Sequence, residues 1–182
     1  MATSFIRDKS LLSEGRLAGW YLDRPRAFAE PGATPVYGPD REFALASLAL
    51  SLCIDPTEKT LVGEARLRIA PLSVGLGEVR LDLDELVVDS VESEEGSLDW
   101  RHADGVLRIR GLQEECTVVV RYHGRPSRGL YFVGPDEAHP HRKVQAWTQC
   151  QDEDAHFVFP CVDHPCGPRR PSLRAKVHYV GP

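Results

Sequence analysis

Apolar and polar residues alternate with a period of two along most of this chain, beginning at Phe43. Leu48, Leu50, Leu52 and Ile54 are separated by small or polar residues, and Asp55-Pro56 then turns the chain. In the run 61–69, Ala65, Leu67 and Ile69 share one side, while Glu64, Arg66 and Arg68 share the other. Successive strand side chains point to opposite faces, so the pattern predicts strands buried on one face only. Val79-Arg80-Leu81-Asp82-Leu83 repeats the alternation, and 87–91 comes next. Residues 98–100 and 106–109 predict a hairpin around Ala103-Asp104-Gly105, where the glycine can take positive φ. The β-branched run 117–122 predicts a central strand. Near the end Leu173, Ala175, Val177 and Tyr179 alternate with Arg174, Lys176 and His178, one more half-buried strand. Short strands at turn-separated intervals predict an all-β fold, an antiparallel sheet packed as a sandwich or curved layer.

The first 38 residues do not share this pattern. Leu11, Leu12, Leu17, Trp20 and Tyr21 are spaced to line a short helix, but Gly15 and Gly19 weaken it. Pro25, Pro31 and Pro35 then break any regular element between 25 and 35. The expected organisation is an irregular or short-helical extension over 1–38, joined to one β domain over 39–182. No internal repeat or low-complexity tract interrupts it.

Composition narrows the class of partner. The chain has 182 residues, 42% hydrophobic and 27% charged, ordinary for one globular domain with a real core. A net charge of −5 argues against a nucleic-acid partner. No apolar run approaches the roughly 20 residues that cross a bilayer, so no membrane partner is expected. Arg7, Asp8, Lys9 and Glu14 stand where a signal peptide needs an apolar stretch. Five cysteines without framework spacing favour reduced thiols and a cytoplasmic location.

Chemistry concentrates in residues 147–165, W-T-Q-C-Q-D-E-D-A-H-F-V-F-P-C-V-D-H-P. Pro160 and Pro165 push the residues before them towards extended backbone, and period-two projection places Gln149, Gln151 and Glu153 on one side, Cys150, Asp152 and Asp154 on the other. A polar cluster on an extended path predicts a surface that touches something. A zinc site from Cys150, Cys161, Cys166, His156 and His164 lacks the two spaced cysteine pairs of structural sites. His139 and His141 form a loop pair with no third ligand near in sequence. No His is followed by Glu, which excludes H-E-x-x-H, and Ser127 and Ser172 sit in Arg/Pro-rich turns without a glycine elbow. The acidic run Asp152, Glu153, Asp154 fits a solvated face. The residues alone leave open a β-sandwich binding module that meets a protein partner through this patch, and a Cys/His metalloprotein.

The same stretch resembles the N-terminal domain of the aminopeptidase N family of zinc metallopeptidases, which includes leukotriene-hydrolase-type enzymes. That pattern runs T-Q-x-[E/Q]-x-x-D-A-R-x-x-F-P-C-x-D-x-P, with G-L-Y upstream. Thr148, Gln149, Gln151, Asp154, Ala155, Phe159, Pro160, Cys161, Asp163 and Pro165 match in register, as do Gly129, Leu130 and Tyr131. A looser likeness reaches back to about Pro39.

The resemblance implies a saddle-like, mainly antiparallel β domain lying over a thermolysin-like catalytic domain. That neighbour carries G-x-M-E-N, H-E-x-x-H and the zinc, so this chain would hold no metal, no cofactor and no catalytic residue. Its partners would be the catalytic domain, absent from the chain, and the amino terminus of a peptide being hydrolysed. Gln151 is implied as the contact to that amine, with Gln149 as a supporting neighbour. A carbonyl oxygen there accepts from an ammonium, worth about 1.5–3 kcal/mol net. A glutamate would add Coulomb attraction of about 4 kcal/mol gross at an effective dielectric near 20, so Gln151 is expected to anchor the amine less strongly. Phe159, Pro160 and Cys161 are expected to plug the core, and Asp163 to form a local turn. Two departures stand out. His156 replaces the family's usual Arg, making any contact there pH-dependent, and 166–171 inserts Cys-Gly-Pro-Arg-Arg-Pro before the last strand.

Overall fold

The computed structural model describes residues 42–72, 77–112, 114–151, 153–164 and 172–179, the last stretch as backbone only. All of them lie in the unit Gly38–Pro182. The expected extension over 1–38 and the insertion at 166–171 lie outside the described residues. In chain order the strands are β1 (Phe43–Asp55), β2 (Thr60–Pro71), β3 (Glu78–Asp82), β4 (Leu86–Ser93), β5 (Gly96–Ser97) and β6 (Asp99–Ala103). Then come β7 (Val106–Arg110), β8 (Cys116–Gly124), β9 (Gly129–Val133), β10 (Gln145–Gln149) and β11 (Ser172–Tyr179). A three-residue 3₁₀ turn, Ala155–Phe157, is the only helical element among the described residues.

The strands form open sheets, and the fold is all-β as the alternation predicts. A six-stranded sheet runs β11-β1-β2-β8-β4-β5, a three-stranded sheet β3-β7-β6, and β9 pairs with β10. Pairing is antiparallel except that β11 runs parallel to β1, so the domain is mainly antiparallel, as the resemblance implied. A parallel pair needs a long crossover, and here that crossover is most of the domain. The β-branched β8 is central, between β2 and β4. The hairpin joining β6 and β7 turns on Asp104 and Gly105, both at positive φ (54° and 70°), the two-residue primed turn whose twist matches its strands.

Leu48, Leu50, Leu52 and Ile54 of β1 are buried, as are Leu61, Ala65, Leu67 and Ile69 of β2, and Val118, Val120 and Tyr122 of β8. Val79, Leu81, Leu107 and Ile109 of the three-stranded sheet join them in one apolar cluster that also takes in Leu130 and Val158. Two bulges break the parity of the alternation. The register shift between Leu45 and Ser47 lets Phe43 and Leu48, odd and even positions, both face inward. The shift between Val88 and Ser90 does the same for Val88 and Val91, and leaves Val87 exposed. On the outer face Arg121 donates to Glu64 (3.1 Å) and Glu92 (2.9 Å), tying β8 to both neighbours.

Tyr122 is a packing pivot. It lies across from Gly63, and a Cβ there would come within 2.5 Å of its Cε2 and Oη, so the ring occupies the space the glycine leaves. Its hydroxyl is the one buried side-chain polar atom without a hydrogen-bond partner among the described residues. Burial, with the Cys161 thiol nearby, pushes that phenol well above its ordinary range.

Candidate functional site

β9 and β10 place the singled-out residues. Trp147 lies across from Tyr131, and Gln149 across from Gly129. Leu130 is buried, and Phe132 and Ala146 pack against the core. The alternate residues Tyr131, Trp147 and Gln149 therefore share the opposite face. There the Tyr131 and Trp147 rings stack with centroids 4.8 Å apart, and Trp147 is 49% exposed. Gly129 has φ +70°, and a Cβ on it would overlap the Asp154 carbonyl oxygen and lie 2.8 Å from Val158 Cγ2. Only glycine lets β9 take this conformation while the turn beyond β10 closes against it.

Beyond Gln149 the backbone departs from the expected extended path. The Asp154 N–H donates back to the Cys150 carbonyl (3.4 Å), and the 3₁₀ turn comes next, with Val158 N–H on Ala155 O at 2.9 Å. The reason is local: this coil satisfies its own backbone groups and buries Phe157 and Val158. Proline influence reaches only the residues next to Pro160. Gln149, Gln151 and Glu153 are exposed and Cys150 and Asp154 are half-buried, while Asp152 lies outside the described residues. Gln151 thus stands on an exposed turn whose two ends are anchored.

Those anchors are not legible in the sequence. Asp163 does not act as a local turn former. Its Oδ2 accepts the His156 backbone N–H (3.0 Å) and lies 2.9 Å from His156 Nδ1. Asp163 N–H in turn donates to Asp82 Oδ2 at 2.9 Å. Asp82 and Cys161 exchange two backbone hydrogen bonds (2.7 and 3.1 Å), stitching the segment to β3. His156 and Asp163 are largely enclosed, their side chains 21% and 12% exposed. Pro160 and Cys161 are buried and Phe159 packs against the core, the plug the resemblance implied. Arg128 adds a cation over the Phe157 ring at 5.7 Å.

The remaining candidates are engaged elsewhere. Ser127 donates both its hydroxyl and its backbone N–H to Glu85 (2.7 Å each), so its hydroxyl caps a loop. His139 Nδ1 meets Asp136 at 3.1 Å, and Arg142 holds the other oxygen of that carboxylate at 2.9 Å. Burial raises the Cys161 thiol far above its usual range, with Asp163 and Asp82 adding to it, and Cys150 shifts the same way for the same first reason. His156 Nδ1 is turned to Asp163. Among the described residues no three His, Cys, Asp or Glu side chains are grouped to hold a metal, and Cys166 lies outside the described residues. What the face offers chemically is amide acceptors beside an aromatic pair.

The family model of the peptidase M1 N-terminal domain matches residues 43–167. Among solved structures, the fold is similar to the M1 zinc metallopeptidase from Deinococcus radiodurans, with TM-score 0.59 and 19% identity over 75% of this chain and 33% of that one. It is also similar to native yeast LTA4 hydrolase, with TM-score 0.66 and 17% identity over 82% of this chain and 26% of that one. At such identities the likeness is one of fold, and this chain spans a third or less of either structure.

Proposed function

This chain belongs to the peptidase M1 N-terminal domain family, and from that premise we propose that it is the non-catalytic, substrate-flanking β domain of a zinc-dependent aminopeptidase. The catalytic domain that it flanks would supply the metal, whose chemistry is to polarise the scissile carbonyl and activate water. The part of this chain is to hold the free amino terminus of a peptide, through the Gln151 carbonyl oxygen, with Gln149 beside it. The observation that carries the reading is the exposed Gln151 on an anchored turn, within a motif that lies inside the matched 43–167. An anchored turn loses little backbone freedom on binding, so more of the hydrogen bond it presents is retained as affinity. A cytoplasmic location, drawn from the unpatterned cysteines, belongs to the same proposal.

The test uses the product of the complete reading frame and aminoacyl-coumarin amides. Gln151→Ala should raise KM by about tenfold or more, the value of a hydrogen bond to a charged group. Gln151→Glu should lower it by adding the missing charge. The 182-residue chain with added zinc should release no coumarin. A KM unchanged within twofold in both variants overturns the proposal and favours a free-standing β-sandwich binding module, and turnover by the chain alone overturns its non-catalytic part.

A further inference from the structure

The β9–β10 pair has two open features besides Gln151. Each of its strands pairs only with the other among the described residues, so β10 keeps a free hydrogen-bonding edge. Such an edge is a template for a further strand. Trp147, Thr148 and Gln149 are all exposed, and no described strand pairs along that edge. The outward face carries the Tyr131–Trp147 stack, already fixed in one geometry, and Gly129 opposite Gln149 leaves no side chain across from it. Charge runs along the strip: exposed Lys143 precedes β10, while exposed Glu153 and half-buried Asp154 lie beyond it.

We infer that the edge and outward face of β10 are a docking strip for an extended peptide, whose amino end lies at Gln149 and Gln151 and whose third residue, aromatic or large and apolar, seats on Trp147. This rests on the reading of Gln151 as the amine contact and adds the substrate class. The charge order sets the direction. A peptide antiparallel to β10 puts its ammonium at the acidic end and its later residues, or an acidic side chain, towards Lys143. Alternation sets the position: residues one and three point to the same face about 7 Å apart, the separation of Gln149 from Trp147 along a strand. The stacked ring gives an apolar side chain a flat, half-desolvated surface, where aromatic contact adds to area burial.

The experiment measures fluorescence anisotropy of dye-labelled heptapeptides against the 182-residue chain. Three peptides are compared: free amine with Phe third, free amine with Ala third, and the Phe peptide acetylated at its amine. The Phe peptide should bind about tenfold more tightly than the Ala peptide, Trp147→Ala should remove that preference, and Trp147→Phe should restore most of it. If Trp147→Ala does not melt like the native chain, the Phe-against-Ala comparison on native protein decides. Equal affinity for Phe and Ala peptides overturns the inference, and if acetylation still weakens binding the Gln151 reading survives it. A Phe preference indifferent to acetylation does the reverse, keeping the strip and removing the amine contact. No binding of any peptide at about 1 mM, or a dimer that Trp147→Ala dissolves, also overturns it.

Discussion

Gly129→Ala is the most direct test of how the turn bearing Gln151 is held. Gly129 combines positive φ (+70°) with a Cβ position that overlaps the Asp154 carbonyl oxygen and Val158 Cγ2. The left-handed conformation costs an alanine about 1–2 kcal/mol. Displacing packed backbone costs about another 1–3 kcal/mol, because the carbonyl cannot swing aside as a flexible side chain would. The sum of about 2–5 kcal/mol, at about 2–4 °C per kcal/mol for a chain of this length, predicts a melting point lower by about 4–20 °C. Two other glycines separate the contributions. Gly111 has φ +87° with open space where a Cβ would go, so Gly111→Ala should lose only the backbone part. Gly134 has only Val144 Cγ2 in ordinary contact at 3.9 Å, and its alanine variant should melt within about 2 °C of native. Circular dichroism melts give the three values, and hydrogen exchange at Asp154 and Val158 should accelerate in the Gly129 variant alone. If Gly129→Ala melts like Gly134→Ala, the turn is not built against β9 as described.

Three further outcomes rest on the packing. Tyr122→Phe removes a buried hydroxyl without a partner, whose desolvation costs about 1–3 kcal/mol, so the variant should match or exceed native stability in urea. Gly63→Ala, which drives a Cβ into the same ring, should be strongly destabilising, and a Tyr122→Phe variant that loses more than about 1 kcal/mol would show the hydroxyl to be bonded. Raised thiols bind protons more tightly when folded, so the stability of the Cys161 and Cys150 environment is complete below the ordinary thiol value of 9.0 and is lost as pH climbs above it. Urea midpoints should therefore fall above about pH 9, and a Cys161→Ala variant should show less of that fall. Among the described cysteines, alkylation at pH 8 should reach exposed Cys53 first and buried Cys161 last. Asp163→Ala strips the acceptor from His156 and should cost about 1.5–3 kcal/mol, with faster exchange at His156 N–H; unchanged exchange there would refute the anchoring role.

Much of the fold is legible in the sequence because strand alternation is a local signal. The inward faces of β1, β2 and β3 come directly from it, the central place of β8 from its β-branched run, and the Asp104-Gly105 turn from its residue types. The bulges near Leu45 and Val88 are not legible, since an extra residue shows only against a partner strand. Counting by twos puts Val87 and Val91 on one face, yet Val87 is exposed and Val91 buried. The site divides in the same way. The motif singles out Gln149 and Gln151, and both are exposed, but its prolines suggest an extended path where the chain coils at 150–157. Asp82 leaves no sequence signal at all, because it meets Asp163 across 81 positions. Trp147 aligns with Gln149 by counting, whereas its stacking on Tyr131 depends on the register of β9. Long-range pairing lies behind the bulges, Asp82 and the stack, while the coil at 150–157 is closed by local hydrogen bonds.

The parallel seat of β11 on β1 has a consequence for synthesis. Ser172 meets Ser47, so β1, the first of the described strands to leave the ribosome, waits for β11, the last of them, before that border is closed. The separation of 125 residues (172 − 47), at about 5–20 per second, makes a delay of about 6–25 s, during which β1 presents a bare border to other nascent chains. Any product ending ahead of Ser172 would carry that border permanently and should clump, while one reaching Tyr179 should stay dispersed.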